Sequence, residues 1–195
     1  TYNISDDWEN FKYVGRIGYV DDGVFCDFTA SGIEFAGKMV GDVTVTLSCD
    51  RETYFTVFVD GERVEERFRA TSATKELTIA TFAEEGEHHI RFLKQTEPQW
   101  SLCVLKDVKI TGELGDAPAN REHLIEFIGD SIPCGYGALW SKNSGIASNK
   151  SGTAQFQDGT QSFAYLTAQL LKADVSIVSC SGIGIDKGYT NQDGT

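Results

Sequence analysis

Ser131 is the residue with the clearest chemical potential. It lies in Leu124-Ile125-Glu126-Phe127-Ile128-Gly129-Asp130-Ser131-Ile132-Pro133-Cys134-Gly135-Tyr136-Gly137, where an apolar run ends abruptly in Gly-Asp-Ser. A short apolar run bounded by Gly and Pro predicts a buried strand entering a loop. A serine there sits at the carboxyl end of a strand, where open α/β sheets bind ligands. Its hydroxyl is a weak nucleophile and needs an adjacent base and an oxyanion hole. The spacing is not the Gly-x-Ser-x-Gly elbow of another hydrolase class. A plain strand-to-loop turn is the alternative reading of this stretch.

Ile125 to Ser131, followed by Gly135-Tyr136-Gly137, resembles the first sequence block of SGNH (GDSL-type) hydrolases. The fuller string resembles carbohydrate esterase family 2, whose members pair a small β-sandwich with an SGNH domain. The resemblance implies that Ser131 is the nucleophile. Val178-Ser179-Cys180-Ser181-Gly182-Ile183-Gly184-Ile185 is similar to the second block. There a glycine amide joins the oxyanion hole, and glycine lets the backbone approach a substrate closely. Counting from the strand end favours Gly184, with Gly182 as the alternative. The family usually has Asn near position 179, where this sequence has Ser179.

Two further blocks have no counterpart: one with an oxyanion-hole Asn, and an Asp-x-x-His pair carrying the general base. The resemblance therefore covers the sandwich and the first part of a flavodoxin-like SGNH domain, ending before those blocks. It implies a serine esterase that removes acetyl groups from plant cell-wall polysaccharide, of the acetylxylan or acetylmannan type, through an acyl-enzyme. The amides of Ser131 and Gly184 would hold the oxyanion, and a histidine outside these 195 residues would move the proton. Such a mechanism needs no cofactor and no metal. Its partners would be an acetylated polysaccharide or oligosaccharide and the remaining C-terminal part of the catalytic domain. A rival reading is a non-catalytic carbohydrate-binding protein that uses the β-sandwich, since jelly rolls serve many lectins. An inactive structural remnant is a third.

Other chemically able residues are weaker candidates. His88 and His89 fall in the β-rich region, each expected to alternate onto a different strand face. His123 precedes the strand that Ser131 follows, roughly 20 Å or more away along it. None is expected to act as base for Ser131. Asp130, adjacent to the serine, is expected to bond the local backbone. Trp140 is a candidate to stack on a sugar ring, with loop packing as the alternative. Trp8 and Trp100 are expected to pack on the sandwich, Trp100 near a loop that could expose it. The five cysteines, Cys26, Cys49, Cys103, Cys134 and Cys180, show no Cys-x-x-Cys spacing. Buried free thiols fit them better than a zinc site, whose ligands come in close pairs.

The elements that must position these groups fall into two patterns. From Arg16 to Gly112 the sequence is almost all β. Val24–Phe28, Gly32–Phe35, the alternating Val43, Val45, Leu47 and Cys49, and Phe55–Val59 read as strands. Asp60-Gly61 predicts a primed hairpin turn feeding Arg63 to Arg69. Leu77 with Ile79, His88–Leu93 and Leu102–Ile110 follow. About eight or nine strands at this spacing predict a jelly-roll-like sandwich, residues 1–112. Residues 113–122 are rich in Gly, Pro and Asp and read as a linker. Residues 123–195 then change to strand, helix, strand, a parallel βαβ unit. In its helix Phe163, Leu166 and Leu170 form one face, with Ala164 and Leu171 alongside and Lys172 in the last turn. Leu139 to Thr160 has no period, and Tyr189–Gly194 reads as a polar turn.

Composition excludes several classes. A net charge of -12 argues against nucleic acid, which needs Lys and Arg clusters. The apolar runs are too short to span a bilayer, so no membrane is expected. Hydrophobic content of 41% with 24% charged residues is ordinary for a globular protein. An acidic surface suits a secreted protein acting on a neutral polymer; no signal peptide is visible in the sequence.

Overall fold

The computed structural model describes residues 1–147, 150, 153–184 and 188. Ten strands build the first region: β1 (Tyr2–Asn3), β2 (Lys12–Val14), β3 (Gly18–Val20), β4 (Gly23–Cys26), β5 (Gly32–Cys49), β6 (Thr53–Val59), β7 (Glu62–Arg63), β8 (Phe68–Ala70), β9 (Glu76–Lys94) and β10 (Cys103–Leu114). They pair antiparallel in the order β3-β4-β10-β5-β9-β6-β7, with β1 on β10, β2 on β5 and β8 on β6. The sheet curls on itself around its apolar face. The two layers expected of a jelly-roll-like sandwich are thus joined by hydrogen bonds into one sheet.

The predicted strands at 32–35 and 43–49 are one strand of 18 residues, and those at 77–79 and 88–93 are one of 19. No turn separates them; the β5–β9 register slips between Met39 and Gly41 and again between Val43 and Thr44. Such bulges bend a strand and raise its twist without ending the pairing. The predicted hairpin at Asp60-Gly61 is present, both residues have positive φ, and Val59 pairs with Glu62. The expected strand from Arg63 to Arg69 divides into β7 and β8.

The alternating strand residues supply the core. Ile33, Phe35, Val45, Phe55, Val57, Ile90, Phe92 and Leu105 are fully buried within it. Phe55 and Phe92 stack at 4.5 Å between ring centroids, a favourable aromatic contact beyond area burial.

Residues 115–123 carry no regular structure. Then come β11 (Leu124–Gly129), α1 (Phe163–Leu170) and β12 (Asp174–Ser179). β11 and β12 are parallel, with α1 as the crossover between them. The Ser162 hydroxyl caps α1 by accepting from the Tyr165 amide. Lys172 lies past the helix end with φ of 52°, instead of in its last turn.

The helix reverses the expected apolar logic. Phe163, Leu166 and Leu170 are 51%, 49% and 85% exposed. The buried face is Ala164, Tyr165 and Ala168, packed with Val14 and Leu93 of the curled sheet, Ala30 of the turn before β5, and Val175 and Ile177 of β12. Two alanines let the helix lie close against the sheet, and the Tyr165 hydroxyl still reaches Arg91 at 3.1 Å. Among the described residues no helix is long and apolar enough to cross a membrane.

Candidate active site

Parallel pairing sets Gly129 opposite Ser179, and the Cys180 amide donates to the Gly129 carbonyl at 3.2 Å. The chain segments carrying Ser131 and Gly182 therefore leave the sheet side by side at its carboxyl edge. Both loops begin at neighbouring strand ends.

Beyond Gly129 the chain turns tightly. Asp130 Oδ1 accepts from the Ile132 amide at 3.2 Å, the local backbone role expected of it. The Tyr136 amide donates to the Ser131 carbonyl, and the Gly135 amide to that of Ile132, both at 3.1 Å. Pro133, Cys134 and Gly135 are buried while Ser131 is half-buried. The Ser131 hydroxyl has no hydrogen-bond partner among the described residues.

This loop rests directly on backbone. Gly135 has φ of 70°, and a Cβ there would stand 2.2 Å from the Asp158 carbonyl oxygen. Only glycine permits that approach. The Asp158 amide returns a hydrogen bond to the Gly135 carbonyl at 3.1 Å. Asp158 is fully buried and paired with Arg63 of β7 at 2.6 Å. Its other oxygen accepts from the Thr160 amide and hydroxyl. The Gly159 amide donates to the Gln95 carbonyl at 3.1 Å. The curled sheet thus positions the serine loop through residues 158–160.

A second tie runs through Glu97, which follows β9 and is fully buried. Its Oε2 accepts from the Ser181 amide at 2.5 Å, and its Oε1 from Gln157 Nε2 at 3.1 Å. Gln99 Nε2 donates to the Ser181 carbonyl at 2.5 Å. Cys134 lies against the same carboxylate: burial pushes its thiol up, and Glu97 adds to that. One buried carboxylate therefore reaches both strand-end loops. Sequence reasoning missed Glu97, because Gln95-Thr96-Glu97-Pro98-Gln99 reads as a polar loop and nothing local distinguishes a buried carboxylate from a solvated one.

Of the two glycine candidates, Gly182 has φ of 77° in a turn closed by the Ile183 amide on the Cys180 carbonyl. Both Gly182 and Gly184 are exposed at the edge, and Ile185 lies outside the described residues, as does the turn read at 189–194. The hydroxyls of Ser179 and Ser181 are buried with no hydrogen-bond partner among the described residues.

None of the histidines meets Ser131. His123 is exposed and lies at the amino end of β11, its carbonyl accepting from the Asp174 amide. His88 stacks on Phe82 at 3.6 Å and pairs with Asp60, and His89 pairs with Glu34 at 2.8 Å. Trp140 is half-buried and its indole donates to the Ile146 carbonyl at 3.1 Å. Trp8 is 60% exposed, contrary to the expected packing, because it sits on a short 3-10 turn outside the core. Trp100 is half-buried and lines a cleft of about 400 Å³ with Arg51, Glu52, Thr153, Ala154 and Gln155. Among the described residues no group of three or more His, Cys, Asp or Glu could hold a metal.

A curled β-domain that lends buried polar residues to the carboxyl edge of a parallel strand–helix–strand unit defines the class of construction. The model of the carbohydrate esterase 2 N-terminal domain matches residues 13–118. The chain belongs to carbohydrate esterase family 2. It is 31% identical over 188 residues to the cellulase/esterase CelE of Acetivibrio thermocellus, covering 94% of this chain and 22% of that protein. It is 23% identical to an acetylxylan esterase / glucomannan deacetylase of Cellvibrio japonicus, covering 98% of this chain and 52% of that one. Among solved structures, a family two carbohydrate esterase from Clostridium thermocellum in complex with cellohexaose superposes with a TM-score of 0.84. Identity there is 28%, over 94% of this chain and 55% of that one. The sequence thus spans about half or less of the length of the relatives it matches.

Proposed function

We propose that Ser131 is the nucleophile of an acetyl esterase acting on plant cell-wall polysaccharide, with the SGNH arrangement. The observation that carries this reading is the placement of Ser131 and the Gly182–Gly184 segment on adjacent strand ends, Gly129 opposite Ser179. In this reading residues 1–112 are the β-domain, 113–122 the linker and 123–195 the first part of the hydrolase domain. The Ser131 hydroxyl attacks the acetyl carbonyl. The amides of Ser131 and of Gly184, or of Gly182, hold the oxyanion. The sugar alcohol leaves, and water then releases acetate from the acyl-enzyme. A histidine and an oxyanion-hole Asn from the remaining part of the domain complete the site. Its place of work is extracellular, where the polymer is.

The test is Ser131→Ala in the whole esterase, assayed for acetate release from an aryl acetate and from acetylated xylan. Loss of both activities with an unchanged thermal transition supports the reading; near-native kcat removes Ser131 from it. The second reading, carbohydrate binding without catalysis, is favoured by the cellohexaose complex of the Clostridium thermocellum relative. Here the Trp100 cleft, lined by an indole together with Arg51 and Glu52, is suited to a sugar ring. Cello- and xylo-oligosaccharide titration of the Ser131→Ala protein separates binding from turnover.

A further inference from the structure

Three cysteines lie in a row at one end of the curled sheet. Cys103 opens β10, with Cys49, the last residue of β5, opposite it on one side and Cys26 of β4 opposite it on the other. All three are buried, at 0%, 6% and 0% exposure respectively. The Sγ atoms of Cys49 and Cys103 stand 2.8 Å apart although the residues are 54 positions apart in the chain. Directly opposed residues of an antiparallel pair hold their Cα atoms about 4.5–5.5 Å apart, within the range that a disulfide spans. The sheet has therefore aligned two thiols for bonding with little backbone movement.

The surroundings favour one of them as the attacking group. Lys94 is fully buried beside the cluster, its amino group held by the carbonyls of Asp27 and Thr96 at 2.5 and 2.8 Å, with burial pulling its own pKa down. Burial pushes the Cys103 thiol up, but the Cys49 hydrogen bond and the Lys94 charge outweigh it, and its pKa is lowered. Cys49 goes the other way: its contact with Cys103, then burial, push its thiol up. Cys26 is also raised, chiefly by burial. Cys49 ends β5 and Cys103 opens β10, so an oxidant reaches them through local opening of this end of the sheet.

We propose that Cys49 and Cys103 form an oxidation site, closing a cross-strand disulfide on reaction with a small-molecule disulfide such as oxidised glutathione, with Cys26 left as a thiol. The Cys103 thiolate attacks one sulfur of the oxidant, forming a mixed disulfide and expelling one glutathione thiolate. Cys49 gives its proton to solvent and attacks the Cys103 sulfur, expelling the second glutathione thiolate. Two protein thiols become one disulfide, and one oxidant disulfide becomes two small thiols.

The experiment uses the folded chain, incubated with oxidised and reduced glutathione, quenched in acid and alkylated in denaturant. Trypsin places Cys26, Cys49 and Cys103 on separate peptides, 17–38, 39–51 and 95–106. The expected result is three alkylated thiols in place of five, and a linked 39–51/95–106 pair that a dithiol reductant separates. Five alkylated thiols after equilibration, or a 17–38/95–106 link in its place, overturns the proposal. Cys49→Ala should abolish the oxidant-dependent loss of thiols, whereas Cys26→Ala should leave it unchanged. Because the mapping is done on the unsubstituted chain, a variant that fails to fold does not obscure the result.

Discussion

The two regions of this molecule solve the burial problem differently. The curled sheet closes over its own core, where Phe35, Phe55, Ile90 and Phe92 are fully inaccessible. The strand–helix–strand region covers one face only. Leu124 and Ile128 on β11 are 67% and 71% exposed, and Phe163, Leu166 and Leu170 line the open side of α1. A two-stranded sheet is marginal by itself; here the curled sheet holds it through the apolar contacts of Ala164 and Ala168 and through polar pairs. Arg63 pairs with Asp158, and Lys12 with Asp174 at 2.7 Å. Arg91 meets the Tyr165 hydroxyl and the Gln169 side chain. The comparison teaches that the β-domain encloses its own core and is the frame on which the candidate site is built.

The largest expected effect separates the regions by activity. No histidine reaches Ser131 among the described residues, so under the proposed mechanism the 195-residue chain should hydrolyse an aryl acetate at least ~10³-fold more slowly than a chain that also carries the proposed base. Comparable turnover by the purified chain would mean that this region holds its own base.

Next comes the tie between the regions. Asp158→Ala removes the charge partner of Arg63, which is 29% exposed and keeps its bond to the Thr160 hydroxyl, and should cost about 1–3 kcal/mol. Urea titration measures it. A loss below about 1 kcal/mol would show that apolar packing around Ala164 and Ala168, not the ion pair, holds the second region.

Acid should probe a neighbouring part of the same seam. Burial would push the Glu34 carboxyl up, but His89 and Arg91 outweigh it and bring its pKa down from 4.5 to about 2. A carboxylate depressed in the folded state contributes stability above its unfolded pKa and loses it as pH falls through the folded value. Between about pH 5 and pH 2 the chain should therefore lose about 3 kcal/mol at this residue. Glu34→Gln should flatten that part of the pH–stability curve; an unchanged slope would assign acid sensitivity to other carboxylates.

The smallest effect tests the open face. Leu170 is 85% exposed, so Leu170→Glu should change the stability of this chain by about 0.5 kcal/mol or less. The same substitution in the whole esterase sharpens the comparison. A much greater loss there would show that the remaining domain covers α1, and an equally small one that the face stays in water.

Local signals were legible wherever neighbours in sequence decide the outcome. Period-2 alternation marked the strands, Asp60-Gly61 the hairpin, and the apolar run ending in Gly129-Asp130-Ser131 the strand and its loop, although that strand, read as buried, leaves Leu124 and Ile128 exposed. Two short apolar runs separated by a longer connection sufficed to imply parallel pairing, because a crossover needs that length. What residue pattern could not supply was the identity of distant partners. Bulges near Gly41 fused two predicted strands into β5, a matter of ladder register with β9 and not of local turn chemistry. α1 turned its small residues to the sheet and its large ones outward, since closeness of approach and the Tyr165–Arg91 contact outweighed amphipathic spacing. Glu97 beneath Ser181, Asp158 against Gly135, and Cys49 against Cys103 each join positions more than 20 residues apart. Sequence alone settled which residues could form strands and that Ser131 would follow the end of one. Tertiary structure decided what stands beside that serine, because hydrogen bonds and ion pairs depend on distance in space, which side-chain type and spacing do not encode.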